Sequence, residues 1–190
     1  MSSLFVHVGQ CGNQVALPFW QLAESEVGIS WPSSSQSSGA GAPSIDHHPL
    51  FADTQSGRCY ARCLMVDSEP KVVTSTARSM RTVRPENVCL DHSGRGNNWA
   101  MGFMSCAAEE EHQHQGAAQQ QQFGKGGTNT GVGLFTQATE AIRREAERTD
   151  ALRSFIMVHS LGGGTGSGAG SALLQHLRDY YPACWLLPVA

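Results

Sequence analysis

The sequence has little charge of either sign. Across 190 residues, 13 Lys and Arg stand against 16 Asp and Glu, a net charge of −3. No basic surplus is on offer for a phosphate backbone, which excludes nucleic acid as the expected partner. Long apolar runs are missing too. No stretch approaches the roughly 20 residues that a bilayer-crossing helix needs, so no membrane partner is expected. The amino terminus, Met1-Ser2-Ser3-Leu4-Phe5, lacks the basic residues of a secretory signal, and the expected location is the cytoplasm. Matched cysteine motifs are also wanting. Cys11, Cys59, Cys63, Cys89, Cys106 and Cys184 are scattered, several inside apolar runs, the usage of small buried hydrophobes in a reducing compartment. Cys59 and Cys63 have a metal-ligand spacing but no second pair, so two strand-region thiols is the simpler reading. The length suits one α/β core and not comfortably two.

What the sequence does have is glycine in a telling place. The run Gly162-Gly163-Gly164-Thr165-Gly166-Ser167-Gly168 follows an apolar segment over 154–160, which reads as a parallel strand covered on both faces. After it, Ala169, Ala172, Leu173, Leu177 and Tyr180 recur at helical spacing, Pro182 closes the helix, and residues 184–187 resume as a strand. Glycines let the backbone come close to an anion, and amide N–H groups at the start of a helix converge on phosphate oxygens. The unit is therefore read as a phosphate-binding βαβ.

Three further turns follow three further strand candidates. Residues 4–8 end in Gly9-Gln10-Cys11-Gly12, ahead of a helix whose expected buried stripe is Val15, Phe19 and Leu22, with Pro18 an awkward interior residue. Residues 61–66 deliver Asp67-Ser68-Glu69-Pro70 to the same sheet edge. Two carboxylates facing a phosphate repel it unless a cation intervenes, which implies Mg²⁺ at Asp67 and Glu69. Residues 88–90 deliver Ser93-Gly94-Arg95-Gly96-Asn97-Asn98-Trp99-Ala100. Residues 30–58, rich in Ser, Gly, Pro and His, read as a mobile surface loop, and the low-complexity stretch 107–131 as a disordered insertion. From Phe135 a helix is expected to bury Ala138, Ile142 and Ala146, with Glu145 on its wet side beside Arg144 and Arg148. An NAD-type oxidoreductase would want GxGxxG in the first turn, which Gly9-Gln10-Cys11-Gly12 does not supply.

The four turns in this order resemble tubulin. GQCGNQ at 9–14, DSEP at 67–70, GNNWA at 96–100, REAE at 144–147 and HSLGGGTGSG at 159–168 each look like tubulin counterparts. The resemblance covers nearly the whole chain except 30–58 and 107–131. It implies an α/β, Rossmann-like doubly wound parallel sheet, strand order 3-2-1-4-5-6, cut short here after the fifth strand, with residues 1–190 as a partial GTP-binding domain. It implies GTP or GDP with Mg²⁺ as cofactors and other tubulin subunits as partners. Carried over by position, Gln10 and Cys11 contact the phosphates or the base side, Glu69 lies at the magnesium with Asp67 nearby, and Asn97 touches the sugar-phosphate region. Ser160, Gly163, Gly164, Thr165 and Gly166 cradle the phosphates. No catalytic residue is assigned. The acid that would position the attacking water belongs in the family to a neighbouring subunit, so hydrolysis is expected only on head-to-tail assembly. The stretch over 66–72 looks most like delta-tubulin, which adds centriole or basal-body proteins as partners and a cytoskeletal location. Arg95 stands where the family usually keeps a small residue; it either pairs with a phosphate or points to water, and the first is expected.

Overall fold

The structure, a computed structural model, describes residues 2–29, 48–53, 58–114 and 132–190. The bulk of the Ser-Gly-Pro-rich loop and of the low-complexity stretch, with His47, lies outside the described residues. The backbone is in chain order β1 (Ser2–Val8), α1 (Gly9–Val27), β2 (Phe51–Asp53), β3 (Cys59–Ala61), β4 (Cys63–Asp67), α2 (Pro70–Ser79), β5 (Val88–Leu90), α3 (Trp99–His114), α4 (Leu134–Glu147), β6 (Leu152–Val158), α5 (Gly170–Tyr180) and β7 (Trp185–Val189).

β1 is the centre because its residues are apolar on both faces, so helices must cover it on both sides. It pairs in parallel with β4, placing Val8 opposite Val66, and with β6, placing His7 opposite Val158. The five parallel strands lie in the order β5-β4-β1-β6-β7. That is the doubly wound arrangement, third-second-first-fourth-fifth among the parallel strands. The chain moves outward through β4 and β5, returns to the other side of β1 at β6, and so places its switch point between the carboxyl ends of β1 and β6. Leu4, Val6, Val8, Phe155 and Met157 pack with α3, α4 and α5 on one face. Phe5, Met65, Ala16, Trp20 and Val73 pack with α1, α2 and the small hairpin on the other. No helix among the described residues is long and apolar enough to cross a membrane.

Several expectations need correction. The run over 61–66 is not one strand: it breaks at Arg62. There the amide donates to the Leu50 carbonyl (2.8 Å) and the carbonyl accepts from the Phe5 amide (2.9 Å). On one side β3 pairs antiparallel with β2; on the other β4 enters the main sheet. The segment expected to be loop up to residue 58 therefore ends in a strand whose Phe51 is fully buried, edge-on to Trp20 at 5.5 Å.

Helix α1 buries Gly12, Asn13, Ala16, Trp20 and Ala23, whereas Val15 and Leu22 are 46% and 61% exposed. Small residues set this face, because a Cβ at Gly12 would collide with the Val158 carbonyl, so the helix lies with its backbone against β6. Pro18 neither delays nor ends the helix. Both it and Gln14 are exposed, so the carbonyl that loses its donor stands on the wet side. The stretch expected to be disordered from 107 is helical as far as His114, where α3 ends. Glu145 is buried, not solvated, and its Oε1 meets Arg84 Nε at 3.2 Å and Arg148 Nη1 at 2.7 Å. Arg84 in turn lies over the Tyr60 ring at 4.1 Å. At the far margin β7 stands almost bare, with Trp185 81% exposed and Leu187 and Val189 exposed beside it.

Candidate functional site

All four glycine or acidic turns sit at the carboxyl ends of β1, β4, β5 and β6, hence on one margin of the sheet. A cavity of about 350 Å³ opens there, lined by Gln10, Cys11, Gln14, Asp67, Glu69, Ser160, Gly162, Gly163, Thr165 and Gly166. A larger groove of about 570 Å³ runs along the surface of α2 alone and gathers no convergent groups.

The glycine run is not a loop. Residues Gly163–Ala169 form a wide π-helical turn that continues into α5, so the amides at its start are helix-terminal donors without intrahelical acceptors. Gly163 has φ +81°, which a side chain resists, and lets the chain enter this turn directly from the extended Gly162. Gly9 does the same at the head of α1 with φ +72°, and a Cβ there would lie 2.7 Å from the Gly166 nitrogen. Two helix starts thus meet backbone to backbone, and their positive ends both face the cavity.

The other glycines are fixed by the packing behind the turn. A Cβ on Gly102 would strike the Gly164 carbonyl, one on Gly164 the Arg95 carbonyl, and one on Gly168 the Trp99 carbonyl. Side-chain hydroxyls complete the frame. Ser68 Oγ and Thr165 Oγ1 are 2.6 Å apart, Ser160 Oγ donates to the Gly162 carbonyl at 2.6 Å, and Ser167 Oγ donates to the Gly163 carbonyl.

Of the residues singled out in the sequence, Gln10, Cys11, Asp67, Glu69, Ser160, Gly163, Thr165 and Gly166 are brought together in the lining. Gly164 and Asn97 are not. The Gly164 amide donates to the Gly96 carbonyl (2.7 Å) and the Gly163 amide to Asn97 Oδ1 (3.0 Å). The turn after β5 therefore backs the cavity and does not line it. Arg95 does not face the cavity either. Its side chain is 3% exposed, its Nε donates to Ser105 Oγ at 2.8 Å, and its terminal nitrogens lie 3.6 Å from Asp91 and 3.8 Å from Glu109. Those carboxylates capture the charge that a phosphate contact would have required.

Asp67 is 3% exposed, and burial pushes its carboxyl from the usual range up to about 6, against the opposing hydrogen bonds from the Glu69 and Ser68 amides. A carboxylate held in so costly a place is suited to a cation. With Glu69 it supplies two oxygen donors, and no cluster of three or more acidic, His or Cys ligands exists among the described residues. The pair cannot cage a metal unaided. That donor set fits Mg²⁺, which takes one or two carboxylates and completes its shell with phosphate oxygens and water.

His159 is no candidate base. It is buried and absent from the cavity lining, with Nδ1 donating between the carbonyls of Gly166 (3.0 Å) and Ser160 (3.2 Å). Beneath the first turn, Trp20 Nε1 donates to His7 Nε2 at 3.1 Å, which leaves His7 Nδ1 to donate to the Gly12 carbonyl at 3.1 Å. Asn13 was not foreseen. Buried on α1, it donates from Nδ2 to the carbonyls of Gly9 (2.8 Å) and Val66 (3.1 Å) and fastens the first turn to the end of β4. A polar residue between Gly12 and Ala16 on a face of small residues is the signal that marks it.

Comparison with known proteins agrees with this geometry. The family profile described as Tubulin/FtsZ family, GTPase domain, matches residues 2–121 and 105–189. The chain is 34% identical over 180 residues to the tubulin beta-1 chain of Homo sapiens, covering 93% of this chain and 34% of that one. It is 36% identical over 186 residues to the tubulin beta-1 chain of Chondrus crispus, covering 95% and 35% respectively, and 34% identical over 180 residues to the tubulin beta chain of Porphyra purpurea. It spans about a third of the length of these relatives. With two helix starts closing on one acidic cavity and the family profile matched along almost all its length, the chain belongs to the Tubulin/FtsZ family.

Proposed function

We propose that the chain binds a guanine nucleotide, GTP or GDP, at the carboxyl margin of its sheet, as the nucleotide-binding portion of a cytoskeletal subunit. The observation that carries this is the cavity where the starts of α1 and of the Gly163–Ala169 turn converge beside Asp67 and Glu69. The amides of Thr165 and Gly166, and those heading α1 at Gln10 and Cys11, hold phosphate oxygens. Gln10 and Gln14 orient the nucleotide along the α1 rim. Asp67 and Glu69 hold Mg²⁺, which neutralises phosphate charge when bound. No described residue facing the cavity serves as a general base, because the two carboxylates belong to the cation and His159 is buried and does not line the cavity. The chain therefore binds without appreciable turnover, and hydrolysis belongs to a head-to-tail assembly with other tubulin subunits in the cytoplasm. The likeness of the stretch over 66–72 to delta-tubulin supports a centriolar or basal-body setting.

Equilibrium binding of GTP, GDP, ATP and NADH, each with and without Mg²⁺, tests the reading. Mg²⁺-dependent retention of the guanine nucleotides supports it; preference for NADH, or indifference to Mg²⁺ with indifference to base, overturns it. A second reading, a non-hydrolysing module that docks on tubulin or centriolar partners, draws on the exposed apolar strand β7 with Trp185 and Leu187. Gel filtration with tubulin in the absence of nucleotide separates the two.

A further inference from the structure

Arg95 is enclosed on all sides by a structure that its charge organises. Gly94 and Gly96 flank it, both with φ +49°, so the chain turns in and out around this one residue and drives its side chain inward. The guanidinium reaches three places at once: Asp91 at the exit of β5, Ser105 on α3 and Glu109 one turn further along α3. Glu109 carries the link onward, since its Oε2 accepts from the Thr136 amide at 3.0 Å at the start of α4. Arg95 Nη1 has no hydrogen-bond partner and lies 3.6 Å from Asp91, so the two terminal nitrogens are held by charge and Nε by the Ser105 hydroxyl.

The residues on either side of its backbone do different work. The carbonyl of Gly96 and the side chain of Asn97 accept the amides of Gly164 and Gly163, and the Arg95 carbonyl closes against Gly164 where no Cβ fits. The loop that Arg95 anchors is thus the one that holds the first two amides of the turn. With those two engaged, Thr165 and Gly166 are left as the first-turn donors open to an anion.

We propose that Arg95 is a positioning residue for phosphate binding: by clamping the 91–98 loop to α3 and α4 through Asp91, Ser105 and Glu109, it fixes the Gly163–Gly166 turn in its anion-receiving shape before ligand arrives. The proposal rests on the nucleotide reading above and adds to it a residue that never touches the nucleotide. Preformed donors need no reorganisation on binding, and a displacement of about 1 Å is enough to lose an order of magnitude or more.

The test uses the 190-residue chain with Arg95→Ala, Arg95→Lys and Glu109→Gln, read by amide hydrogen exchange without nucleotide and by GDP affinity with Mg²⁺. In Arg95→Ala, exchange at Gly163 and Gly164 should accelerate about tenfold or more while β1 and β6 amides stay protected, and GDP should bind about tenfold or more weakly. Lys reaches only one of the three partners and should restore little. Should Arg95→Ala fail to fold, Glu109→Gln carries the test, because the amide preserves the acceptor for Thr136 and removes only the charge. Unchanged exchange at Gly163 and Gly164, or unchanged GDP affinity despite faster exchange, in a variant that folds, overturns the clamp. Wild-type chain that does not retain GDP overturns the nucleotide reading instead, and the exchange data still judge the clamp.

Discussion

Acid should unfold this protein through His7. The imidazole is buried between Trp20 and Gly12, and its two hydrogen bonds prescribe one neutral tautomer, Nε2 accepting and Nδ1 donating. Protonation would place a second N–H against the indole N–H and bury an uncompensated charge. Burial accordingly pushes the His7 pKa from 6.5 down to about 4, only partly opposed by the Gly12 carbonyl. The unfolded chain binds the proton at 6.5 and the folded chain does not, so stability is whole above that value and is lost as pH falls towards 4. A difference of some 2.5 units at about 1.4 kcal/mol each gives about 3–4 kcal/mol at saturation. His7→Gln supplies the reference, because it keeps a polar side chain but cannot titrate. Urea unfolding at about pH 7.5 and about pH 4.5 should show wild type far more stable than the variant at the higher pH, with about 2–3 kcal/mol of that gap gone at the lower. Gaps that stay constant across the range would refute both the tautomer and the burial argument.

Gly102→Ala should cost about 1–3 kcal/mol in the same assay and weaken GDP binding, because its methyl group must displace the Gly164 carbonyl and with it the turn. Asp67→Asn should raise the stability of nucleotide-free chain by about 1–3 kcal/mol, since it relieves a buried charge, and abolish the Mg²⁺ dependence of GDP retention; differential scanning fluorimetry with and without Mg²⁺ reads both. Glu145→Ala should cost about 3–5 kcal/mol by leaving Arg84 and Arg148 without their shared buried carboxylate, visible as a drop in urea midpoint with no effect on GDP affinity in chain that remains folded.

The parallel sheet and its ligand-facing margin were legible because they depend on short-range signals: apolar runs of strand length, each ending in glycine or acid. Eight of the ten residues carried over from the tubulin resemblance line the cavity at that margin. What sequence did not convey depends on backbones meeting in space. Val15 and Leu22 have the right spacing for a buried stripe, yet Gly12 and Ala16 allow the closer approach and rotate the helix to face β6 with its small residues. Arg95 reads as a phosphate ligand from its neighbours in sequence; its partners Ser105 and Glu109 lie well along α3, one turn apart, the second within a stretch whose composition argued against order. Glu145 sits in an alternating charge pattern typical of a wet helix face, and only the arrival of Arg84 from before β5 makes it an interior residue.

In most interiors a layer of interdigitated side chains stands between neighbouring backbones. Between the Gly163–Ala169 turn, α3, the head of α1 and the end of β6 there is no such cushion, since carbonyls and α-carbons abut directly at Gly9, Gly12, Gly102, Gly164 and Gly168. These parts can only travel together. A pull applied at the turn passes backbone to backbone to β6 and along α3, whereas on the opposite face it must cross the side chains of Trp20, Phe51, Phe5 and Met65.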